Sequence, residues 1–287
     1  AWMEQNRPDL FQRIQRQVKA GRWEPIGGIW VEPELNLISG ESIARQILYG
    51  QRYYQEKFGK TSPIAWLPDT FGFNWQLPQF LKQGGIDYFV TQKLRWNDTT
   101  QFPYDLFQWQ APDGSAILSL MSAPIGEGID PVKMTTYACD WEQKTGLPVS
   151  LWLPGVGDHG GGPTRDMLQL ARRWRRSPFF PNLEFTTAAD YLRGIEAGVT
   201  TAAARRRSGV EENGELPGST TSLPTWNSDL YLEFHRGCYT THADQKWWNR
   251  RCEGWLYLAE LYAAIAALTA QIPYPRERLE TAWKHML

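Results

Sequence analysis

A single aspartate at the end of an apolar run is the first candidate for chemistry in this sequence. Residues 64–67 are apolar, Pro68 interrupts them, Asp69 follows directly, and Gly72 comes three residues later. This order predicts a buried strand whose end presents one carboxylate in a tight turn. In α/β barrels the chemistry lies at the C-terminal ends of the strands. The alternative is an aspartate whose side chain only shapes the turn.

A second aspartate, Asp158, lies in the glycine-rich run 155–162. Hydrolysis of a glycosidic bond needs one carboxylate to attack or stabilise the sugar and another to protonate the leaving oxygen. We therefore predict that Asp69 and Asp158 are the catalytic pair. The alternative for Asp158 is a carboxylate that shapes the glycine-rich loop. That loop lacks the Lys-Ser/Thr of a P-loop, so a phosphate site is not indicated.

The elements that must position these residues alternate between strands and helices from about residue 5 to 197, which predicts parallel strands with crossover helices. Predicted strands are 25–31, 64–68, 87–92, 116–121 and 149–153. Predicted helices are 4–20, about 40–54, 75–83, 131–144 and one starting at 163. Four predicted strand ends carry polar residues, namely Glu32, Asp69, Lys93 and Asp158. We expect these ends to converge on one face.

The composition is that of a globular protein with one large domain or two ordinary ones: 287 residues, 42% hydrophobic and 21% charged. A formal net charge of −1 gives no drive toward nucleic acid or anionic membranes, and no apolar run is long enough to span a bilayer. Three cysteines without a C-x-x-C pair favour a reducing, cytoplasmic location. Fifteen tryptophans favour a carbohydrate partner, because aromatic faces stack on sugar rings.

The chain changes character near residue 205, where Thr/Ala-rich sequence gives way to a triple arginine and an acidic, glycine-containing stretch. We predict an α/β barrel catalytic domain over 1–205. Residues 206–287 are expected to hold a linker and the start of a helical bundle, with one long helix over 241–271 and another beginning near Arg276.

Five ordered motifs resemble one family of enzymes. They are GGIWVEPE at 27–34, WLPDTFG at 66–72, YFVTQKLRWN at 88–97, the glycine-rich run around Asp158 followed by PTR at 163–165, and LYLEFHRG at 230–237. Together they resemble glycoside hydrolase family 38, the zinc-dependent α-mannosidases, in spellings similar to its cytosolic and bacterial branch. The motifs span nearly the whole chain, so a chance match is not a reasonable explanation.

The resemblance implies a seven-stranded parallel α/β barrel, incomplete here, followed by a three-helix bundle. It implies a retaining α-mannosidase, with Asp69 as nucleophile and zinc ligand and with Asp158 in the region of the acid/base. The expected partner is a mannose-containing oligosaccharide. Expected substrate-binding residues within the matching motifs are Trp30, Glu32, Lys93, Trp96, His235 and Arg236.

The sequence departs from the family pattern in ways that predict an incomplete site. Members of the family carry an H-x-D motif on the first strand, upstream of the motifs above, and a zinc histidine in an F-H-D segment. No histidine precedes His159, and no F-H-D segment is present. The one H-x-D tripeptide, 242–244, lies where a helix is expected to start, so it is not favoured as a metal site. His159 also replaces the usual glycine after the aspartate. We therefore expect most zinc ligands to lie outside this chain. The partners expected besides the glycan are missing chain segments or a homo-oligomer. The alternative is a non-catalytic carbohydrate-binding or structural remnant. Another metal-dependent barrel hydrolase would need a metal cluster that the sequence lacks.

Overall fold

The computed structural model describes residues 1–157, 161–207 and 223–287, without the side chains of 202–207. The helices are α1 Trp2–Asn6, α2 Pro8–Lys19, α3 Gly40–Phe58, α4 Leu77–Gln83, α5 Pro131–Thr145, α6 Arg165–Trp174, α7 Ala188–Arg207, α8 Ala243–Ala270 and α9 Arg276–Met286. The strands are β1 Ile64–Trp66, β2 Tyr88–Thr91, β3 Leu106–Gln110, β4 Ala116–Met121 and β5 Thr225–Trp226. Short 3₁₀ turns cover Lys93–Arg95 and Arg236–Tyr239. The described chain therefore has the α/β organisation that the alternating pattern predicted.

The five strands form one mixed sheet in the order β1-β2-β4-β3-β5. Strands β1, β2 and β4 run parallel, with Trp66 opposite Val90 and Val90 opposite Leu120. Strand β3 was not predicted, and it runs antiparallel to β4. The turn at 111–114 joins these two strands directly, and so short a connection can only reverse the chain. The expectation of purely parallel pairing is therefore wrong for this pair, while closure into a seven-stranded barrel stays a prediction.

Two predicted strands are absent from the described sheet. Over 25–31, Gly27 and Gly28 both have positive φ, which breaks an extended run, and the Trp30 amide donates to Gln46 of α3 instead of to a strand. No strand forms over 149–153, and the nearest pairing is an isolated bridge between Glu127 and Pro154, one residue later. Proline has no N–H to continue a ladder, so the segment remains irregular.

The first predicted helix is divided into α1 and α2 at Arg7, whose φ of −140° is not helical. A residue that precedes a proline is pushed out of the helical region by the proline ring, and Pro8 follows Arg7. The predicted cap of α3 is present, because the Ser39 side chain accepts from the Ser42 amide. Both ends of α8 and the start of α9 lie within two residues of their predicted positions.

Both faces of the sheet are covered by helices, as its alternating side chains require. Phe89 of β2 packs in a core cluster with residues of α3 and α4, including Ile47 and Leu81. Tyr88 and Val90 point to the other face and pack with residues of α5 and α7, including Trp141, Leu192 and Ile195. This two-sided burial fixes the strand ends from which the site is built.

The C-terminal helices α8 and α9 pack against each other, and both contact α3: α8 through hydrogen bonds and α9 through the ring of Trp283 beneath Arg45. The boundary expected near residue 205 falls in the last turn of α7, next to 208–222, which are outside the described residues. After them, β5 pairs with β3, so the sheet recruits residues from beyond that boundary. Within the described ranges, no helix has the length and apolar character needed to cross a membrane.

Candidate active site

Asp69 lies in the turn after β1 and is largely exposed. Its backbone amide donates to Glu32 Oε1 at 2.9 Å, and the hydroxyl of the buried Thr70 donates to the same oxygen at 3.0 Å. Glu32 therefore holds the turn through its carboxylate, while the Asp69 side chain stays accessible. This is the geometry expected of a carboxylate that meets a ligand rather than one that caps its own turn.

Lys93 follows β2 and forms an ion pair with Asp69, with 2.6 Å between Nζ and Oδ1. The lysine side chain is only 4% exposed, whereas the aspartate side chain is 57% exposed. Because β1 and β2 are adjacent and parallel, their C-terminal ends lie at the same edge of the sheet. The buried Lys93 ammonium thus holds one oxygen of the Asp69 carboxylate, while the rest of that carboxylate remains open to solvent.

Two aromatic rings contact the ammonium of this ion pair, and the ring of His235 packs against both of them. Lys93 Nζ lies 3.4 Å from the ring centroid of Trp96 and 4.9 Å from that of Phe71, which favours the cation on their faces. His235 packs edge-on against Phe71 with 4.9 Å between centroids, and 6.0 Å separates its ring from that of Trp96. We call Phe71, Trp96 and His235 the aromatic trio. It supplies apolar faces next to a carboxylate, a combination suited to sugar rings.

The turn after Asp69 is fixed by contacts that sequence reasoning missed. The Tyr239 hydroxyl donates to the Phe71 carbonyl and accepts from Asn36 Nδ2 at 3.1 Å. Burial raises the pKa of Tyr239, so the phenol stays protonated and able to donate. Gly72 has φ of +108°, and a Cβ there would lie 2.6 Å from Asn36 Nδ2. The glycine in the 66–72 motif was the one local signal of this tight approach.

The segment that carries His235 reaches the site through backbone pairing. Phe73 and Leu230 exchange both N–H···O bonds, each at 3.0 Å. His235 itself has φ of 61°, an uncommon left-handed conformation for a residue with a side chain. Chain segments about 160 residues apart in sequence are thereby brought side by side.

The structure brings together five of the predicted site residues and separates others. Together are Glu32, Asp69, Lys93, Trp96 and His235. Trp30 contacts a different group, the rings of Tyr49 and Tyr53 and the ammonium of Lys284. Arg236 is exposed and opens the 3₁₀ turn after His235. Asp158 lies outside the described residues, so its predicted place beside Asp69 stays a prediction.

A zinc ion needs more ligands than this part of the site provides. Over the described ranges, no three His, Cys, Asp or Glu residues are grouped closely enough to hold a metal. Asp69 is one carboxylate with an ammonium 2.6 Å away, whereas catalytic zinc sites use about three protein ligands. The described residues alone therefore do not fit a zinc ion.

Sequence comparison identifies the family. The family model described as the glycosyl hydrolases family 38 N-terminal domain matches residues 1–229. The chain belongs to glycoside hydrolase family 38. A second family model, the alpha mannosidase middle domain, matches residues 233–287. This family 38 chain thus carries sequence of both domains, with the described site residues before 229 in the first match and His235 in the second.

Individual relatives agree with that assignment. The family 38 chain is 36% identical to alpha-mannosidase 2C1 of Homo sapiens, 34% identical to alpha-mannosidase G of Dictyostelium discoideum and 34% identical to an alpha-mannosidase of Saccharomyces cerevisiae. Each similarity covers 100% of this chain but only 24–26% of the relative, so the chain spans about a quarter of their length.

A solved structure shares the fold. The crystal structure of an alpha-mannosidase from Enterococcus faecalis matches with a TM-score of 0.76 and 24% identity, covering 99% of this chain and 31% of that one. A 4-alpha-glucanotransferase from Thermococcus litoralis matches more weakly, with a TM-score of 0.53 and 16% identity, covering 99% of this chain and 45% of that one. The sheet and helices described above are therefore an arrangement already seen in the Enterococcus faecalis structure.

Proposed function

We propose that this chain is part of a retaining α-mannosidase that hydrolyses α-mannosidic bonds of mannosides and oligomannose glycans. The observation that carries the proposal is the exposed Asp69 carboxylate, held by a buried Lys93 at 2.6 Å beneath an aromatic trio. Relatives named alpha-mannosidase match the chain over its whole length, which supports the choice of sugar.

The reaction proposed for this site has two steps. Asp69 attacks the anomeric carbon of a mannosyl residue, the bond to the leaving oxygen breaks, and Asp158 gives its proton to that oxygen. Water then attacks the mannosyl ester, its proton passes to Asp158, and the Asp69 carboxylate is released. Two inversions at one carbon leave the product with the configuration of the substrate.

The surroundings of Asp69 prepare it for the first step. Lys93 restrains the carboxylate in one orientation, so that a nucleophilic oxygen points outward to the substrate. The aromatic trio offers apolar faces to the C–H groups of the sugar. We propose Glu32 as the residue that fixes the turn, and Trp30 and Arg236 as more peripheral contacts for an extended glycan.

Zinc belongs to the proposal for the longer enzyme, with Asp69 as one of its ligands. An ion there would bind sugar hydroxyls and act as a Lewis acid. The described residues provide one ligand, so no step above depends on the ion. We also propose a cytoplasmic location, which is supported by the free thiols of Cys139, Cys238 and Cys252.

The direct test is to follow hydrolysis of an aryl α-mannoside by NMR and to identify the first anomer released. A retaining enzyme gives α-mannose before mutarotation. The matched aryl α-glucoside is the control for the identity of the sugar. Initial release of β-mannose would contradict the double displacement, and sugar binding without turnover would favour the non-catalytic alternative.

The role of Asp158 is tested by the leaving group. Acid assistance matters most for a poor leaving group. Asp158→Ala should therefore lower the rate of hydrolysis of a mannose disaccharide by about 10²-fold more than that of a dinitrophenyl mannoside. Azide needs no base, and it should restore part of the turnover of the activated substrate. Equal losses on both substrates without azide rescue would move the role to another acid, and Glu32→Ala would then be tested first.

A further inference from the structure

The Glu233 side chain is buried and lies two residues before His235 in the 230–237 motif. Its carboxylate is directed at residues 98–100, more than 130 positions earlier in the chain. Oε2 accepts from the amides of Asp98 and Thr99 at 2.6 and 2.7 Å. Oε1 accepts from the Thr99 hydroxyl and the Thr100 amide, both at 2.7 Å.

These four donors compensate the buried negative charge without a cation. None of the ion pairs formed between described residues includes Glu233, so backbone and hydroxyl dipoles stabilise its charge. Hydrogen bonds from Thr100 and Thr99 hold the pKa of the Glu233 carboxyl well below its usual range. The four hydrogen bonds therefore favour the charged carboxylate, which is suited to fix a turn.

The backbone of Glu233 makes the connection reciprocal. Its amide donates to Asn97 Oδ1 at 2.7 Å, and Asn97 immediately follows Trp96. Both sides of the aromatic trio are thus joined through one residue: the loop with Lys93 and Trp96 on one side, and the segment with His235 on the other. With its flanks fixed in this way, His235 can keep a left-handed backbone that is otherwise unfavourable.

We propose that Glu233 is a positioning residue for the Asp69 site, which sets the separation of Trp96 and His235 and with it the surface offered to the sugar. The proposal rests on the proposed mannosidase function for its catalytic consequence. Its structural part, the fixed spacing between two loops, stands on the hydrogen bonds alone.

The test compares Glu233→Gln with Glu253→Gln in the enzyme. Glutamine keeps the shape at 233 but directs an NH₂ group at two of the four donors, so the turn must open. Glu253 is a matched control, because it is also buried and its Oε1 accepts from the Ser39 amide at 2.8 Å and the Ser42 hydroxyl at 2.6 Å, on α3.

Two readouts are measured for both variants, hydrogen exchange and kinetics on an aryl α-mannoside. Glu233→Gln should increase exchange in peptides over 93–101 and 230–238. It should lower kcat/KM by about 30-fold, mainly through KM, because the aromatic surface that binds the sugar is no longer held in place. Glu253→Gln should increase exchange near 39–46 and leave kcat/KM within about twofold of the parent.

A loss of kcat/KM of similar size in both variants would show general destabilisation and overturn the proposal. Increased exchange without a kinetic effect would overturn the positioning role, and unchanged exchange would overturn the structural part. If Glu233→Gln does not fold, Thr99→Val removes one donor and should lower kcat/KM by about threefold. An enzyme inactive on mannosides before any substitution would refute the proposed function, and the exchange data would then decide on Glu233 by themselves.

Discussion

The strand ends around Asp69 and the contact of α3 with the C-terminal helices both join distant parts of the chain, but they use their charged groups differently. At the strand ends the cation Lys93 is buried and the anion Asp69 is exposed. In the helical contact, Arg45 pairs with Glu41 and Glu260 and lies 4.0 Å over the ring of Trp283. One region leaves a carboxylate available to a ligand, whereas the other pairs its charges internally.

This difference suggests that the strand ends serve the reaction and that the helical contact serves stability. The Trp283 indole is fully buried and donates to Glu260 at 2.9 Å, so its interactions are satisfied within the protein. Asp69 has its outer side free for a substrate. We therefore expect substitutions at the strand ends to change rates at nearly constant stability, and substitutions in the helical contact to do the reverse.

The largest effect is expected for Asp69→Asn. The nucleophile loses its charge, so kcat on an activated aryl α-mannoside should fall by about 10³-fold or more. Asp87→Asn is a matched control, because Asp87 is also 57% exposed and pairs with Lys82 at 2.7 Å. Near-normal turnover by Asp69→Asn, or an equal loss in the control, would end the assignment of Asp69 as nucleophile.

A smaller rate effect is expected for Lys93→Met. The apolar chain keeps its packing against Trp96, while the group that orients Asp69 is lost, so kcat should fall by about 10²-fold. Lys82→Met removes the ammonium of the exposed Lys82–Asp87 pair and should change kcat by less than about twofold. Equal kinetics of the Lys93 variant and the parent would mean that the ion pair only stabilises the turn.

Much of the strand-end region could be predicted from the sequence, because apolar runs bounded by proline and glycine mark where strands stop. That reasoning placed Asp69 after β1 and Lys93 after β2, and their parallel pairing made them neighbours. It missed β5, which has only two residues and no periodicity to detect. It also missed the antiparallel β3.

The polar contacts that hold the site could not be predicted in the same way. The hydrogen bond from Tyr239 to the Phe71 carbonyl joins residues 168 positions apart. The hydrogen bond from the Thr99 amide to Glu233 joins residues 134 positions apart. Hydropathy reports which residues are buried, but it does not report which backbone groups a side chain satisfies across such separations. Glu233 lies within the 230–237 motif, but a glutamate in a sequence gives no sign of which donors it accepts from.

The helical contact should respond in stability rather than in rate. Trp283→Ala removes a fully buried side chain and the partner of Arg45, so the free energy of unfolding should fall by about 3 kcal/mol. Urea unfolding gives this value, and kcat at saturating substrate should remain that of the parent. Trp23 is 53% exposed, so Trp23→Ala should cost less than about 1 kcal/mol. A large change of kcat in Trp283→Ala would break the separation of the two regions.

The smallest effect expected is a pH dependence of stability that arises from the Glu233 carboxyl. The Glu233 carboxyl has a lowered pKa in the folded protein, mainly through hydrogen bonds from Thr100 and Thr99. A group with a depressed folded-state pKa stabilises the protein fully above its unfolded-state pKa, which is about 4.3 for glutamate. This stabilisation declines as the pH falls below that value toward the folded-state pKa.

The stability difference between the parent and Glu233→Gln should therefore be constant from about pH 7 to pH 5 and should narrow below about pH 4. Urea unfolding of both proteins at each pH measures it, because titrations common to both cancel in the difference. A difference that widens toward acid would mean that the carboxyl titrates above its usual range and that the turn at 98–100 does not hold it as an anion.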